Sequence, residues 1–225
     1  MDIAVLGTGA VGQALAGGLS RLGHAVAVGT RDPEDTLART EPDGMGNPPF
    51  AVWHAQHAEV ALTTFADAAA GADLVVLAGS GSAALDMLTA AGADHLAGKP
   101  VLDISNPLDF SAGFPPTLFV KDTDSLAERI QAAFPEARVV KSLNTLTAPL
   151  MVDPGLLGEA STVFVSGDDA DAKAAVTQLL VGLGHQDVID LGGIETARGT
   201  EMLLPLWLRT MAALGTGMFN IKVVR

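Results

Sequence analysis

Three glycines near the amino terminus have the spacing that arranges backbone N–H groups around a phosphate. They occur in Gly7-Thr8-Gly9-Ala10-Val11-Gly12, between a short apolar run and a helical pattern. Gly7 permits a tight turn, Gly9 lets the backbone approach an anion, and Gly12 lets the helix pack closely on the strand. The first N–H groups of the helix then face the ligand with partial positive charge. This order of strand, glycine turn and helix predicts a site for a dinucleotide pyrophosphate.

The end of the second predicted strand, residues 25–28, indicates which dinucleotide binds. An NAD site usually has Asp or Glu here for the ribose hydroxyls, whereas this strand runs into Gly29-Thr30-Arg31. Arg31 offers a charged fork and Thr30 a donor, and both suit a 2′-phosphate. We therefore favour NADP over NAD, although Arg31 could instead be a solvated loop charge. Asp32 follows directly, and it either repels the phosphate or points away at the start of the next helix.

Composition excludes several classes of function. The chain has 225 residues, 48% of them hydrophobic, and a formal net charge of −13, which disfavours nucleic acid as a partner. It contains no Tyr, which excludes the Tyr-x-x-x-Lys chemistry of short-chain dehydrogenases, and no Cys for disulfides or thiolate chemistry. The five His lack metal-ligand spacing, so we expect no metal. We expect no membrane helix and no signal peptide, hence a cytoplasmic protein.

Apolar strands alternate with helical patterns along most of the chain. This predicts an α/β fold with a doubly wound, mainly parallel Rossmann sheet and a small C-terminal α/β extension. We expect an NADP-binding domain over residues 1–150 and a part over 151–225 that closes the cleft and could form a dimer contact. The predicted strands cover residues 3–6, 25–28, 60–62, 74–78, 101–104, 139–143, 162–165 and 187–191. The predicted helices cover residues 11–22, 35–39, 65–71, 83–91, 125–134, 170–183 and 196–214.

Small and polar residues follow several predicted strands, where a doubly wound sheet binds its ligand. Ala78, Gly79 and Ser80 end the fourth strand and leave room for a nucleotide. Asn106 and Asn144 follow two later strands and either hydrogen-bond a carboxamide or acceptor or cap the backbone. The irregular stretch over residues 40–57 predicts a mobile loop over the cleft. We identify no catalytic residue among these positions.

Four segments together resemble the family of coenzyme F420-dependent NADP oxidoreductases, the NADPH:F420 reductases. They are Gly7-Thr8-Gly9-Ala10-Val11-Gly12 with its helix, Val28-Gly29-Thr30-Arg31, Arg138-Val139-Val140-Lys141-Ser142-Leu143-Asn144-Thr145, and Glu201-Met202-Leu203-Leu204-Pro205-Leu206 with the tail through Lys222. The resemblance implies NADP across the glycine turn, with its 2′-phosphate at Thr30 and Arg31. It also implies that Thr8, Gly9, Ala10 and Val11 bind phosphate and that Ala78, Gly79 and Ser142 line the nicotinamide side.

The resemblance further implies F420 as a co-substrate whose deazaflavin ring stacks on the nicotinamide, and a homodimer. The chain departs from the family pattern after the fourth strand, at Asn144 where His is frequent, and at Glu34 and Asp35 where a second basic residue is frequent. We therefore expect hydride transfer between NADPH and a deazaflavin-type acceptor, which needs mainly orientation and a dry cleft and no catalytic triad. One alternative is a reductase of flavins, quinones or small carbonyl compounds. The other is a non-catalytic NADP(H) sensor, because no acid or base is evident.

Overall fold

A central sheet with helices on both faces forms the computed structural model of the protein, which describes residues 1–42 and 46–225. The strands are β1 Asp2–Leu6, β2 Ala25–Thr30, β3 Ala61–Thr64, β4 Leu74–Leu77, β5 Pro100–Asp103, β6 Leu108–Asp109, β7 Thr117–Leu118, β8 Arg138–Lys141, β9 Thr162–Ser166 and β10 Asp187–Gly192. Within the described residues, eight strands form the sheet in the order β3-β2-β1-β4-β5-β8-β9-β10. Only β8 and β9 pair antiparallel in this sheet as described. The predicted fold class is therefore confirmed.

The helices pack on the two faces of this sheet. They are α1 Ala10–Arg21, α2 Pro33–Ala38, α3 Phe50–His54, α4 Phe65–Gly71, α5 Ala84–Ala91, α6 Ala93–Leu96, α7 Leu126–Ala133, α8 Ala148–Val152, α9 Ala170–Gly182, α10 Ala197–Met202 and α11 Leu204–Leu214. Short 3₁₀ turns cover Gly81–Ala83, Pro154–Leu157 and Ile194–Thr196. In the predicted loop over residues 40–57, α3 is an ordered helix, and residues 43–45 lie outside the described part of the chain.

The alternation of side chains along β1 creates two separate cores. Ile3 and Val5 pack into a cluster on one face with residues of α1, α8 and α9, and Ala4 and Leu6 pack into a second cluster with residues of α4, α5 and α7. Successive strand side chains point to opposite faces, so a strand buried on both sides must be apolar throughout. This explains why β4, Leu74–Leu77, is a continuous apolar run that is buried at every position.

The carboxyl-terminal part extends the same sheet with β9 and β10. The domain boundary near residue 150 stays a prediction. The helix predicted over residues 196–214 is two helices, α10 and α11, interrupted at Leu203. Pro205 explains the interruption, because it lacks the N–H that a continuous helix needs and tolerates the first turn of a new one. The tail is an extended arm, in which the Ile221 carbonyl accepts from Thr162 N at 2.9 Å.

An apolar segment of this kind is expected to be buried widely, against its own domain or a second subunit, and one chain as described covers only part of it. Leu204 and Leu208 are buried, whereas Leu206 is 59% exposed and Leu214 58% exposed. Its apolar surface therefore exceeds what its own sheet covers. No helix in residues 1–42 and 46–225 is long and apolar enough to cross a membrane. The cytoplasmic location stays a prediction.

The buried His185 makes stability depend on pH. Its Nε2 donates to the Met151 carbonyl at 3.0 Å, and its Nδ1 is buried without a partner. Burial lowers the pKa of His185, with the Met151 hydrogen bond opposing it. The unfolded state therefore takes up the proton first, and stability falls as pH drops below about 6.5, by at most about 1.4 kcal/mol per pH unit for this group.

We expect His185→Gln to flatten that decline, because an amide can donate to Met151 and does not titrate. Urea unfolding of both proteins at pH 5.0, 6.0 and 7.5 measures the effect. His24 also has a pKa lowered by burial and the amino terminus, and it contributes equally to both proteins. Equal pH slopes for the two proteins would contradict the assignment to His185.

Candidate functional site

The glycine turn lies where the strand order reverses between β1 and β4. Gly7 has φ +125°, and a Cβ there would meet the Ala78 carbonyl oxygen at 2.7 Å. A Cβ at Gly12 would collide with the Gly7 carbonyl, whereas a Cβ at Gly9 would meet no protein atom within 4 Å. Gly7 and Gly12 are thus required by packing, and Gly9 faces open space. In doubly wound sheets, this switch point is where ligands bind.

A first cavity of about 650 Å³ opens on one side of the turn. Thr8, Gly9 and Gln13 form its wall next to α1, and Thr36 and Arg39 form part of the wall next to α2. Gln13 Nε2 donates to the Thr8 carbonyl at 2.9 Å and so fixes the turn from the helix side. The remaining lining residues are Ala38, Thr40, Glu41, Pro42, Pro48, Pro49 and Phe50.

Thr30 and Arg31 differ in their availability to a ligand. The Thr36 hydroxyl donates to the Asp32 carbonyl at 2.7 Å, so the buried Thr30 donates its own proton to Thr36 Oγ1 at 2.8 Å. Arg31 is exposed and makes no ion pair with another described residue. Asp32 caps α2 by accepting from Asp35 N at 3.0 Å, which is the second of its two predicted positions.

A second cavity of about 460 Å³ lies on the other side of the turn. It brings together predicted site residues from four chain segments that meet at the carboxyl ends of the parallel strands. These are Gly9, Ala10, Val11, Ala78, Gly79, Ser80, Asn106 and Asn144. Ile104, Leu108, Phe110, Leu146 and Met151 add apolar surface. No described residue that lines this cavity carries a charge.

Asn106 and Asn144 both line the second cavity and are hydrogen-bonded to each other. Asn106 Nδ2 donates to the Asn144 carbonyl at 2.8 Å, and Asn144 Nδ2 donates to Asn106 Oδ1 at 3.0 Å and to the Thr200 carbonyl at 3.0 Å. Both side chains thus donate to backbone carbonyls, which agrees with the alternative that these asparagines cap the backbone. Ser142 is buried beside them and donates to the Phe164 carbonyl at 2.7 Å, away from the residues lining the cavity.

A buried charge cluster lies directly behind this pair. Lys141 Nζ contacts Asp103 Oδ2 at 2.8 Å, Glu201 Oε1 at 2.9 Å and the Ser105 carbonyl at 2.6 Å. Asp103 Oδ1 also accepts from Ser105 N at 2.9 Å and from its hydroxyl at 2.6 Å. Burial by itself would lower the pKa of Lys141, but the Asp103 and Glu201 carboxylates outweigh it and raise this pKa. Lys141 is therefore a charged structural residue.

Glu201 connects this cluster to a helix terminus. Its carboxylate accepts from the backbone N–H groups of Leu126 at 2.7 Å and Ala127 at 3.1 Å, the first residues of α7. A carboxylate at a helix amino terminus satisfies unpaired N–H groups and favours the helix dipole. No local sequence pattern predicts this contact, because Glu201 and Ala127 are 74 positions apart in the chain.

Sequence reasoning missed Gln13, Arg39 and Phe110 as cavity-lining residues. Gln13 directly follows the glycine motif and lies one helical turn after Gly9, a position that could have indicated a role. Arg39 and Phe110 lie in segments without a motif, so only the folded chain places them at the cavities. No cluster of three or more His, Cys, Asp or Glu that could hold a metal is found in residues 1–42 and 46–225.

The strand order and the glycine turn at its switch point define a Rossmann-type dinucleotide-binding protein. Residues 2–107 match the family model described as NADP oxidoreductase, coenzyme F420-dependent. A crystal structure from Arthrobacter sp. FB24, described as a candidate F420-dependent NADP reductase, is 61% identical, with a TM-score of 0.96 and full coverage of both chains. The chain therefore belongs to the family of F420-dependent NADP oxidoreductases.

Two curated relatives are more distant. The F420-dependent NADP reductase of Methanothermobacter marburgensis is 28% identical over 92% of this chain and 90% of its own length. The metalloreductase STEAP3 of Rattus norvegicus is 28% identical over 95% of this chain. This chain spans only 39% of the length of the metalloreductase.

Replacing Glu201 by Gln tests the charge cluster. We expect a loss of about 3 kcal/mol in the free energy of unfolding, because Lys141 loses one buried partner and the neutral amide accepts less strongly from α7. Urea unfolding at pH 7.5 measures the change. Glu195→Gln is the control, because Glu195 is exposed and should change stability by less than about 0.5 kcal/mol. Equal small effects of both substitutions would contradict a structural role for the cluster.

Proposed function

We propose that this protein transfers a hydride between NADPH and a deazaflavin-type acceptor such as F420. The observation that carries the proposal is the pair of cavities on either side of Gly9 at the switch point of the sheet. A dinucleotide fits across this turn, since Gly9 leaves open space and the first N–H groups of α1 are available to its pyrophosphate. The adenosine half then occupies the first cavity and the nicotinamide half the second.

NADPH supplies the hydride when bound, and the residues of the protein orient the reactants and exclude water. The uncharged, largely apolar lining of the second cavity, as described, suits this role. Asn106 and Asn144 hold the polar edge of the cavity in one geometry. The lining offers no acid or base among its described residues, which favours an acceptor ring that needs only a hydride over a carbonyl that also needs a positioned proton donor.

Arg31 and Arg39 support NADPH over NADH as the dinucleotide. Arg39 lines the first cavity, and neither arginine forms an ion pair with another described residue. The family frequently has a second basic residue where this chain has Glu34 and Asp35. Arg39, a few positions later, offers such a second cation. The carboxylate of Asp32 caps α2 by accepting from Asp35 N. It is therefore less available to pair with the arginines in place of a phosphate.

We also propose a homodimer, since the apolar surface of α11 and the tail is not covered within one chain. Leu206, Leu214, Met218 and Val224 are exposed there. A second copy that covers this surface would explain why these residues are apolar.

Mixing the protein with NADPH and oxidised F420 tests the proposed reaction. We expect the absorbance of both compounds to fall together at equal molar rates, because each hydride lost by NADPH reduces one deazaflavin. FMN, menadione and a small aldehyde are the alternative acceptors in parallel reactions. Turnover with FMN but not F420 would favour a flavin reductase, and tight NADPH binding without turnover of any acceptor would favour a sensor.

Arg39→Ala and Arg31→Ala test the choice of dinucleotide. We expect each to raise the KM for NADPH about tenfold while the KM for NADH stays within about twofold, since only NADPH carries the 2′-phosphate. Steady-state kinetics with both coenzymes measures the ratio. Arg21→Ala is the matched control, because Arg21 is exposed at the end of α1 remote from the glycine turn. An unchanged ratio in both variants would contradict this assignment.

A further inference from the structure

A short hairpin that the sequence did not predict lies at the second cavity. We call residues 108–119 the aromatic hairpin. Its strands β6 and β7 pair antiparallel, with Leu108 opposite Leu118 and Asp109 opposite Thr117. Backbone hydrogen bonds from Leu108 N to the Asn106 carbonyl at 2.8 Å and from Phe119 N to the Pro107 carbonyl at 2.9 Å attach its base to the loop after β5. The hairpin is therefore attached to the loop that carries Asn106.

Three phenylalanines of the aromatic hairpin are exposed to solvent. The chain has eight Phe, all of them within the described residues, and the three most exposed are Phe110, Phe114 and Phe119. Phe110 is 59% exposed and Phe114 65% exposed. Exposed aromatic side chains concentrated on one element indicate a surface that binds something, because burying each would otherwise stabilise the fold.

Phe110 differs from the other two because it also lines the second cavity. The hairpin tip around it is ordered by hydrogen bonds, from Gly113 N to the Phe110 carbonyl at 2.9 Å and from Ser111 N to Asp109 Oδ1 at 2.8 Å. Phe110 therefore presents an aromatic ring at the edge of an uncharged cavity whose polar edge is formed by Asn106 and Asn144.

We propose that Phe110 forms the outer wall of the subsite for the hydride acceptor, where it contacts a flat, conjugated heterocycle. A ring of that kind can offer its faces to Phe110 and the nicotinamide and its edge to the two asparagine amides. This inference rests on the proposed function, since it places the acceptor next to the nicotinamide half of the dinucleotide. To that function it adds Phe110 as the residue, and ring stacking as the contact, that would select an aromatic acceptor.

Removal of the Phe110 ring should weaken acceptor binding and leave the coenzyme unaffected. We expect Phe110→Ala to raise the KM for oxidised F420 or FMN, whichever is turned over, about tenfold, with the KM for NADPH within about twofold. Phe110→Trp should restore most of the affinity, because it retains a stacking ring. Phe114→Ala is the matched control, since Phe114 lies on the same hairpin, is equally exposed and is not among the cavity-lining residues.

A binding measurement that needs no turnover separates this proposal from the proposed function. Fluorescence anisotropy of oxidised F420, and of FMN, is followed on the protein saturated with NADP⁺. If either probe binds, Phe110→Ala should weaken its binding about tenfold and Phe114→Ala by less than about twofold. That result without turnover would overturn the reaction but support the subsite.

Two results would overturn the subsite itself. One is equal behaviour of Phe110→Ala and Phe114→Ala towards a probe that the unsubstituted protein binds. The other is binding of neither probe by the unsubstituted protein. Light scattering on all variants gives their native mass, and a change of mass in Phe110→Ala without loss of probe affinity would assign the ring to contact with a second copy instead.

Discussion

The buried ammonium group of Lys141 joins strand β5 to the carboxyl-terminal helix α10. It lies between Asp103 of β5 and Glu201 of α10, and all three side chains are removed from water. A lysine desolvated in this way is unfavourable unless carboxylates and carbonyls surround it, and an unpaired buried carboxylate is equally unfavourable. Each partner therefore requires the others. Because Glu201 also accepts from the first N–H groups of α7, the cluster joins sheet, helix and carboxyl-terminal segment at one point.

The same cluster fixes the residues of the candidate site without placing charge in it. Lys141 binds the Ser105 carbonyl, next to Asn106, and the Thr200 carbonyl, next to Glu201, accepts from Asn144. The cluster thus holds Asn106 through its neighbour Ser105, and Asn144 through Thr200, the neighbour of Glu201. The cavity in front of them is lined by uncharged residues within the described part of the chain. A fixed polar edge beside an uncharged cavity suits the proposed hydride transfer, which needs orientation of the reactants more than charged groups.

Features that depend on residues close together in the chain were predicted from the sequence, and features that depend on distant contacts were not. The glycine turn, the apolar strands and the helix α4, Phe65–Gly71, follow from local pattern, and the structure has them with small shifts at their ends. Pro205 marks the place where the helical pattern over residues 196–214 is interrupted, at Leu203. The aromatic hairpin was missed because β6 and β7 have two residues each, too few for a periodic signal. How much of α11 its own chain covers could not be predicted, because apolar composition does not reveal what covers a helix.

The sequence by itself determined the glycine turn, the doubly wound sheet and the absence of cysteine and tyrosine chemistry. Each depends on residue identity or on spacing within a few positions, which the chain carries without folding. Only the tertiary structure decided which residues meet at the two cavities. It also decided that the Thr30 hydroxyl donates to Thr36, and that the Glu201 carboxylate accepts from α7 and pairs with Lys141. Those contacts join segments whose orientation is set by packing on the sheet, and no local pattern encodes that packing.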